Sequence, residues 1–552
     1  MIKQELERVI SEAVRRAQDA DDLPAVAVPE TTLERPQRPE HGDYASSLAL
    51  RLARSARMSP LEIAGIIAKH TEVEEAVASV DVAPPGFVNF RLAPSWLAAQ
   101  VDAVLQAGER FGDVSLGKGE SLQVEYVSAN PVGPIHVGNG RGLALGDTLA
   151  NVLAAAGYKV QREYLVNDAG TQTETFAGTL YARYQQLFGR EVEIPAGGYP
   201  GEYMIHLAER LKEEKGDSLL APPGEPYAPE LHDLGVARMM DVIKDDLTMV
   251  GVHYDRWFSE RSLYADGTYE KAMAHLRAGG FVTEREGAVW LSASELGDEK
   301  DNVLVRSTGA PTYFASDVAY HYDKLIVRGF QRVINVWGAD HQGHVPRMKA
   351  AVAALGVEPE RLTIIVYQLV TLKRGTEVVR LSKRAGEIVT LREVVEEVGA
   401  DAVRFFFVSR AADSHMDFDL ELAKRQSAEN PVYYVQYAHA RIAGILLHAK
   451  ERISSFDDGD VSLLTHESEL ALVRKMLQLP ELVEGVALSL EPHQLPYYAM
   501  DLATAFHDFY EKCRVVSDDE ALSKARLKLV AAAKLVLARA LGLIGVSAPE
   551  RM

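Results

Sequence analysis

The run from Gln123 to Gly146, QVEYVSANPVGPIHVGNGRGLALG, constrains the fold more than any other part of the chain. Val124 and Tyr126 alternate as in a buried strand, and Asn130-Pro131 and Gly133-Pro134 then break the pattern as at a strand-to-loop junction. Past His136-Val137-Gly138-Asn139, the residues Leu143, Leu145, Leu149, Val152 and Leu153 recur at near-helical spacing until Gly157 ends the run. Strand, small-residue loop and helix open a nucleotide-binding α/β unit, because the free N–H groups of a helix start favour phosphate.

The chain's 552 residues suffice for three or four domains, and 47% hydrophobic composition is ordinary for packed cores. A formal charge of −20 argues against nonspecific coating of nucleic acid or anionic membranes. It leaves room for a specific RNA partner, since local basic faces act within a Debye length of about 8 Å. One cysteine, Cys513, precludes an internal disulfide or a Cys-cluster metal site and fits a reducing cytoplasm. The N-terminus reads as an amphipathic helix with Ile2, Leu6, Val9, Ile10, Ala13 and Val14 on one face, rather than a targeting peptide. LKLVAAAKLVLARALGLIGV is interrupted by Lys534 and Arg539, so no membrane span is expected.

Residues 1 to about 110 read as a small separate domain, with His41-Gly42-Asp43-Tyr44-Ala45 giving way to a helix that Asp43 or Ser46 could cap. Gly117-Lys118-Gly119 marks a linker, and Tyr158 to Asp168 a second strand of the main domain. Ile194 to Pro229 reads as an inserted or connecting segment with solvated charges. Tyr313 and Asp317 lie four apart, hence on one face of a helix. Gly338 to His344 forms a turn after a strand, and Leu362 to Leu372 is a continuous apolar run suited to a strand covered on both faces. Asp340, His341 and His344 lack a fourth ligand at suitable spacing, so no zinc or other structural metal is expected. Arg380-Leu381-Ser382-Lys383-Arg384 presents cations suited to a triphosphate. From Leu391 the pattern is helical. Tyr434, Tyr437, His439 and Arg441 could stack on or bond unstacked bases, although tyrosines at helical spacing also build cores. Lys524, Arg526, Lys528, Lys534 and Arg539 are either a phosphate-facing surface or a solvated helix face.

HGDYA, the HVGN region, YFASD, WGADHQGH, RLSKR and NPVYYVQYAHAR occur in the order found in arginyl-tRNA synthetases, a class I family that the chain resembles over essentially its whole length. The resemblance implies a small α+β N-terminal domain (1–110) set against the tRNA elbow and a Rossmann-like parallel-sheet catalytic domain (111–390). The latter includes a connective segment around 194–260 and the RLSKR loop at 380–384. An all-α anticodon-binding bundle (391–552) follows. It implies ligation of L-arginine to tRNA(Arg) through arginyl-adenylate, with ATP and Mg²⁺, and activation that itself needs tRNA. A cytoplasmic monomer is expected.

By the same resemblance His136, Asn139 and Lys383 are catalytic, with Asn139 replacing the signature's usual second histidine. Relatives that lack the late lysine carry one just before the first signature, where this chain has Gly133. ATP would meet His136, Gly138, Asn139, Gly338, His341, Gln342, Ser382, Lys383 and Arg384. Arginine would meet Glu125, Ser128, Asn130, Tyr313, Asp317 and Asp340, and tRNA would meet Tyr434, Tyr437, His439 and Arg441. A guanidinium needs a fork of acceptors, and Glu125, an acid among apolar strand residues, is costly to bury without a cation. Another class I synthetase, such as cysteinyl, lacks its zinc ligands here. A tRNA-binding paralogue without activity would rest on Asn139 and the altered start of RLSKR.

Overall fold

The computed structural model describes residues 1–36, 38–72, 75–222, 226–379 and 389–552. The N-terminal helix Ile2–Asp19 buries Leu6, Val9, Ile10, Ala13 and Val14, the face expected from their spacing. It leans on helix Pro60–His70, which covers an antiparallel sheet of four strands in the order Leu33–Glu34, Tyr44–Ser46, Phe87–Leu92 and Val77–Ala83. Ser46 Oγ does accept the N–H of Leu48 (3.2 Å) at the next helix start. Asp43 does not cap it. Its carboxylate accepts the N–H of Leu92 (2.7 Å) and Nε of Arg474 (2.8 Å), on a helix of the C-terminal bundle. Beside it Tyr44 donates to Glu481 (2.5 Å), which also receives Arg35 (2.8 Å). The HGDYA turn is thus a polar clasp between the first and last thirds of the chain. Gly42 makes the turn possible: its φ is +85°, and a Cβ would lie 2.5 Å from the carbonyl oxygen of Phe90.

The central sheet has five parallel strands in the order Leu362–Tyr367, Arg332–Gly338, Ser121–Tyr126, Lys159–Val166 and Arg256–Ser259. The chain order reverses beside Ser121–Tyr126, a switch point at which ligands bind beyond the carboxyl ends of the strands. Helix Val137–Ala155 is buried along nearly its whole length, and the charges it carries, Arg141 and Asp147, are buried against partners of their own. Gly146 lets it lie on the sheet, since a Cβ there would sit 2.4 Å from Tyr126. Two expectations change. The apolar run Leu362 to Leu372 is an edge strand, Leu362–Tyr367, followed by Val370–Arg374 in a different sheet with Met416–Asp419. Being at an edge, the first strand is only partly covered, and the bundle region contains a strand within its helices. The connective segment also contributes structure rather than solvated charge alone. Helices Glu202–Lys215 and Pro229–Met249 bury Met204, Leu207, Leu211, Leu231 and Ile243, and Arg256–Ser259 completes the central sheet.

The C-terminal helices anchor on this core through Arg404, 1% exposed. Its guanidinium donates to the carbonyls of Val250 (2.9 Å) and Ile544 (2.8 Å) and meets the carboxylate of Asp147 on the buried helix. The basic residues of helix Glu520–Ile544 form no free positive face. Lys524 pairs with Asp458 (3.0 Å), Arg526 with Glu469 (2.7 Å), Lys528 with Asp102 (2.8 Å), Lys534 with Glu550 (2.5 Å) and Arg539 with Asp113 (2.5 Å). Of the two readings of that run, the solvated helix face is the one that agrees with these pairs, four of which lie at the surface and all of which staple the helix to its own surroundings. Among the described residues no helix is long and apolar enough to cross a membrane. Arg404→Met leaves Asp147 buried beside three unfilled carbonyl contacts and is expected to cost about 3–5 kcal/mol. Thermal unfolding followed by circular dichroism should show a midpoint several degrees lower, and an unchanged midpoint would contradict this role.

Candidate active site

A cavity of about 1260 Å³ opens beyond the carboxyl ends of the central strands, at the switch point. Glu125, Asp317 and His136 all line it. The first strand leaves the sheet through two residues in the left-handed region, Val127 (φ +67°) and Ser128 (φ +42°), a strained corner for a β-branched residue. The corner sets Ser128 Oγ between the N–H of Leu165 (3.0 Å), from which it accepts, and Glu125 Oε1 (3.0 Å), to which it donates. Asn130 follows on the cavity wall and donates to Gln172 (2.5 Å).

His136 is the N-cap of helix Val137–Ala155, and its Nδ1 accepts the N–H of Gly138 (3.0 Å). Burial pushes the imidazole below its ordinary value, so it is neutral, and with Nδ1 occupied as an acceptor the proton resides on Nε2. His136 therefore offers an N–H donor without charge. Asn139 hydrogen-bonds the hydroxyl of Tyr367, at the end of the edge strand, and also lines the cavity. Gly138 stands behind His136, and its role is backbone only: a Cβ would lie 2.8 Å from the imidazole.

The opposite wall is acidic. Helix Tyr313–Tyr322, capped by Thr312 (3.3 Å to the N–H of Ala315), carries Tyr313 and Asp317 on one cavity-facing side, as their spacing predicts. Asp317 titrates at about 7: burial raises it most, then the charges of Glu260 and Glu125, against weaker opposition from Arg347 and Lys324. Glu260, which the sequence reading missed, is buried, and its Oε2 has no hydrogen-bond partner. Burial raises its carboxyl too, with a hydrogen bond from Ser316 opposing. The signal was available in its position immediately after Arg256–Ser259, at the carboxyl end of a parallel strand. Burial and the same two acids also raise the Tyr313 hydroxyl.

Glu125 requires a correction. Its burial was read as a demand for an external cation, yet the chain supplies one: Lys324, 0% exposed, donates to Glu125 Oε2 (2.5 Å) and to Asn335 Oδ1 (3.1 Å). Among the described residues Asp317 and Glu260 form no ion pair, with Arg347 and Lys324 only weakly opposing the rise at Asp317. Asn335 in turn donates to His321 Nε2 (2.9 Å), and His321 Nδ1 donates to the carbonyl of Asp317 (2.7 Å). Burial drives His321 down to about 3, so this neutral tautomer is fixed.

The turn after Arg332–Gly338 is a 3-10 segment, Ala339–His344. Gly338, Asp340 and His341 line the cavity, and Asp340 lies 3.4 Å from His341. Gln342 is exposed and stands apart from the cavity lining, because the 3-10 turn points it away from its neighbours' side. The connective segment supplies a wall not foreseen: Tyr199 and Tyr203 line the cavity, and Tyr203 donates to the carbonyl of Val132 (2.8 Å). Ser382, Lys383, Arg384 and the rest of the RLSKR loop lie outside the described residues.

On helix Pro431–Ala449, Tyr437 is exposed and stacks on Tyr433 (6.2 Å) and His507 (6.4 Å), with the Arg441 guanidinium 5.8 Å above its ring. Tyr434 joins the cluster, 5.3 Å from His507. His439 does not. It is buried, and its Nδ1 donates to the carbonyl of Pro549 (2.8 Å), so it serves to seat the C-terminus rather than to meet a base.

Comparison with known proteins covers the same architecture in three matches. Residues 2–92 match the arginyl tRNA synthetase N terminal domain, 100–407 the catalytic domain of class I (R) tRNA synthetases, and 435–552 the DALR anticodon binding domain. An arginine–tRNA ligase of Dehalococcoides mccartyi is 54% identical over 98% of both chains, and one of Heliobacterium modesticaldum is 48% identical over 100% of this chain and 99% of that protein. The arginyl-tRNA synthetase of Thermus thermophilus shares the fold with a TM-score of 0.79 at 24% identity, over the full length of both chains. Domain order, the cavity at the switch point and near-complete coverage by such relatives agree, and the chain belongs to the class I arginyl-tRNA synthetases.

Proposed function

We propose that the chain is an arginine–tRNA ligase. The carboxylate of L-arginine attacks the α-phosphorus of ATP, forming arginyl-adenylate and releasing pyrophosphate. A hydroxyl of the terminal ribose of tRNA(Arg) then takes the arginyl group and releases AMP. The observation that supports the amino-acid identity is Asp317, a partly buried carboxyl on the cavity wall with no ion-pair partner among the described residues, whose ionisation is opposed by the charge of the buried Glu260 nearby. A planar, permanently charged guanidinium with five donors answers that deficit, and Tyr313 stands where it can stack or bond. A neutral ureido side chain such as that of citrulline leaves the acids unpaired and is rejected. Ser128 and Asn130 receive the backbone end of arginine.

ATP lies toward the start of helix Val137–Ala155. The uncharged Nε2–H of His136 and the helix N–H groups face its phosphates, with Asn139 beside them and Asp340 and His341 on the adenosine side. Lys383, with Ser382 and Arg384, is assigned to the departing pyrophosphate through its motif alone, and Mg²⁺ travels with ATP, held by phosphate oxygens. The enzyme supplies position and electrostatic relief, with no covalent intermediate. Tyr434, Tyr437 and Arg441 form the anticodon-side aromatic surface. We take the enzyme as a cytoplasmic monomer in which activation waits for tRNA.

Arginine-dependent ATP–pyrophosphate exchange should be strong with tRNA(Arg) and low without it. Exchange absent under both conditions would favour a tRNA-binding paralogue. Asp317→Asn removes half of a charged fork and should raise the arginine KM by about 10- to 100-fold. The ATP KM should stay near that of the wild type, and an unchanged arginine KM would place the guanidinium elsewhere.

A further inference from the structure

Lys324 is an ammonium with 0% exposure in the interior of an α/β domain, where an apolar residue of like volume would be at least as stabilising. Its surroundings are closely specified. The side chain rises from a π-helical stretch, Asp323–Val327, directly after the helix that carries Tyr313 and Asp317. Such a widened turn redirects side chains relative to the preceding helix and is frequent at functional sites. Nζ lies 4.0 Å over the face of Tyr320, whose hydroxyl donates to Glu163 (2.6 Å), itself clamped by Arg328 (2.8 Å). The remaining partners of Lys324 are the two that matter for the cavity, Glu125 and Asn335.

These contacts form one continuous chain. From the carbonyl of Asp317 it passes through His321, Asn335, Lys324 and Glu125 to Ser128 and the N–H of Leu165. Its two ends are the two ends of the amino-acid site: the helix bearing the guanidinium acceptor, and the strained corner at Val127 and Ser128 that leads to Asn130. Glu125 is the member whose place depends on charge. With Lys324 it is a fixed, balanced wall. Without Lys324 it becomes, beside Asp317, a further carboxylate short of a cation in the same cavity, free to leave Ser128 and to compete for the guanidinium.

We propose that Lys324 is a positioning residue of the amino-acid site: its ammonium holds Glu125 in place and, through Glu125, the Ser128 corner that receives the backbone end of arginine. This rests on the assignment of the cavity to arginine. Lys324 touches no substrate atom. Of the acids Glu125 and Asp317, which both line the cavity, it makes Glu125 structural and leaves Asp317 for the substrate.

The test is arginine- and tRNA-dependent ATP–pyrophosphate exchange with full-length wild type, Lys324→Met, Glu125→Gln and the double variant. Lys324→Met should lower kcat/KM for arginine by about 30-fold or more while the KM for ATP stays within about twofold, since the corner serves one substrate only. Because Lys324 acts through Glu125, the activity of the double variant toward arginine should be within about threefold of that of Glu125→Gln alone. Normal arginine kinetics in Lys324→Met, an equal rise in both KM values, or a double variant equal to the product of the singles would overturn the proposal. Should Lys324→Met not accumulate as folded protein, the comparison of Glu125→Gln with the double variant decides by itself. Wild type that fails to exchange with arginine refutes the arginine assignment; wild type that exchanges alongside additive variants refutes only the role of Lys324.

Discussion

A carboxyl without an ion-pair partner among the described residues, Asp317 at the open end of a parallel sheet, with the buried Glu260 opposing its ionisation, is the constraint around which this protein is arranged. Asp317 faces the cavity from the helix after the inserted antiparallel sheet, and Glu260 follows the edge strand Arg256–Ser259 of the central sheet. The charge of Glu260 raises the Asp317 carboxyl, and burial raises both. A fold that keeps such a pair carries an unfavourable charge arrangement that a bound cation relieves, as does a proton at lower pH. That difference between filled and empty states is where selectivity for a guanidinium can come from.

Three other buried acids are neutralised within the chain. Glu125 has Lys324, Glu163 has Arg328, and Asp147 has Arg404. Burying an ion with its partner removed costs several kcal/mol, so exceptions to this pairing are informative. The opposite end of the cavity follows another logic. There the imidazole of His136 is kept neutral by burial and oriented by the N–H of Gly138, so it presents a donor beside the amide groups of a helix start. Donors fixed in advance stabilise developing charge on phosphate without reorganising.

Much of this was legible in the residues. The strand–loop–helix of Gln123 to Gly146, the four-residue spacing of Tyr313 and Asp317, and the ordered motifs placed the catalytic unit, and Glu125, Asp317 and His136 do share one cavity. Periodicity failed where the deciding fact was a partner distant in sequence. Nothing local announces that Lys324 closes on Glu125, 199 positions away, or that the cations of Glu520–Ile544 are each claimed by an acid. Glu260 carries no periodic signal at all; only its place after a strand points to it. His439 could have been excluded. On a helix Tyr434, Tyr437 and Arg441 fall along one stripe, whereas residue 439 turns to the other side, and the structure buries it there.

The most direct measurement is the titration of the Asp317 carboxyl carbon by NMR, assigned by difference from Asp317→Asn, with and without saturating arginine. In the free protein the account predicts a midpoint at about 7, from burial and the neighbouring acids. Arginine favours the ionised form, so its binding should pull the midpoint toward the ordinary carboxylate value of about 4 and release the proton held at pH 6. A midpoint already near about 4 in the free protein, or one that arginine leaves unmoved, would contradict the claim that this pocket is built around a missing cation.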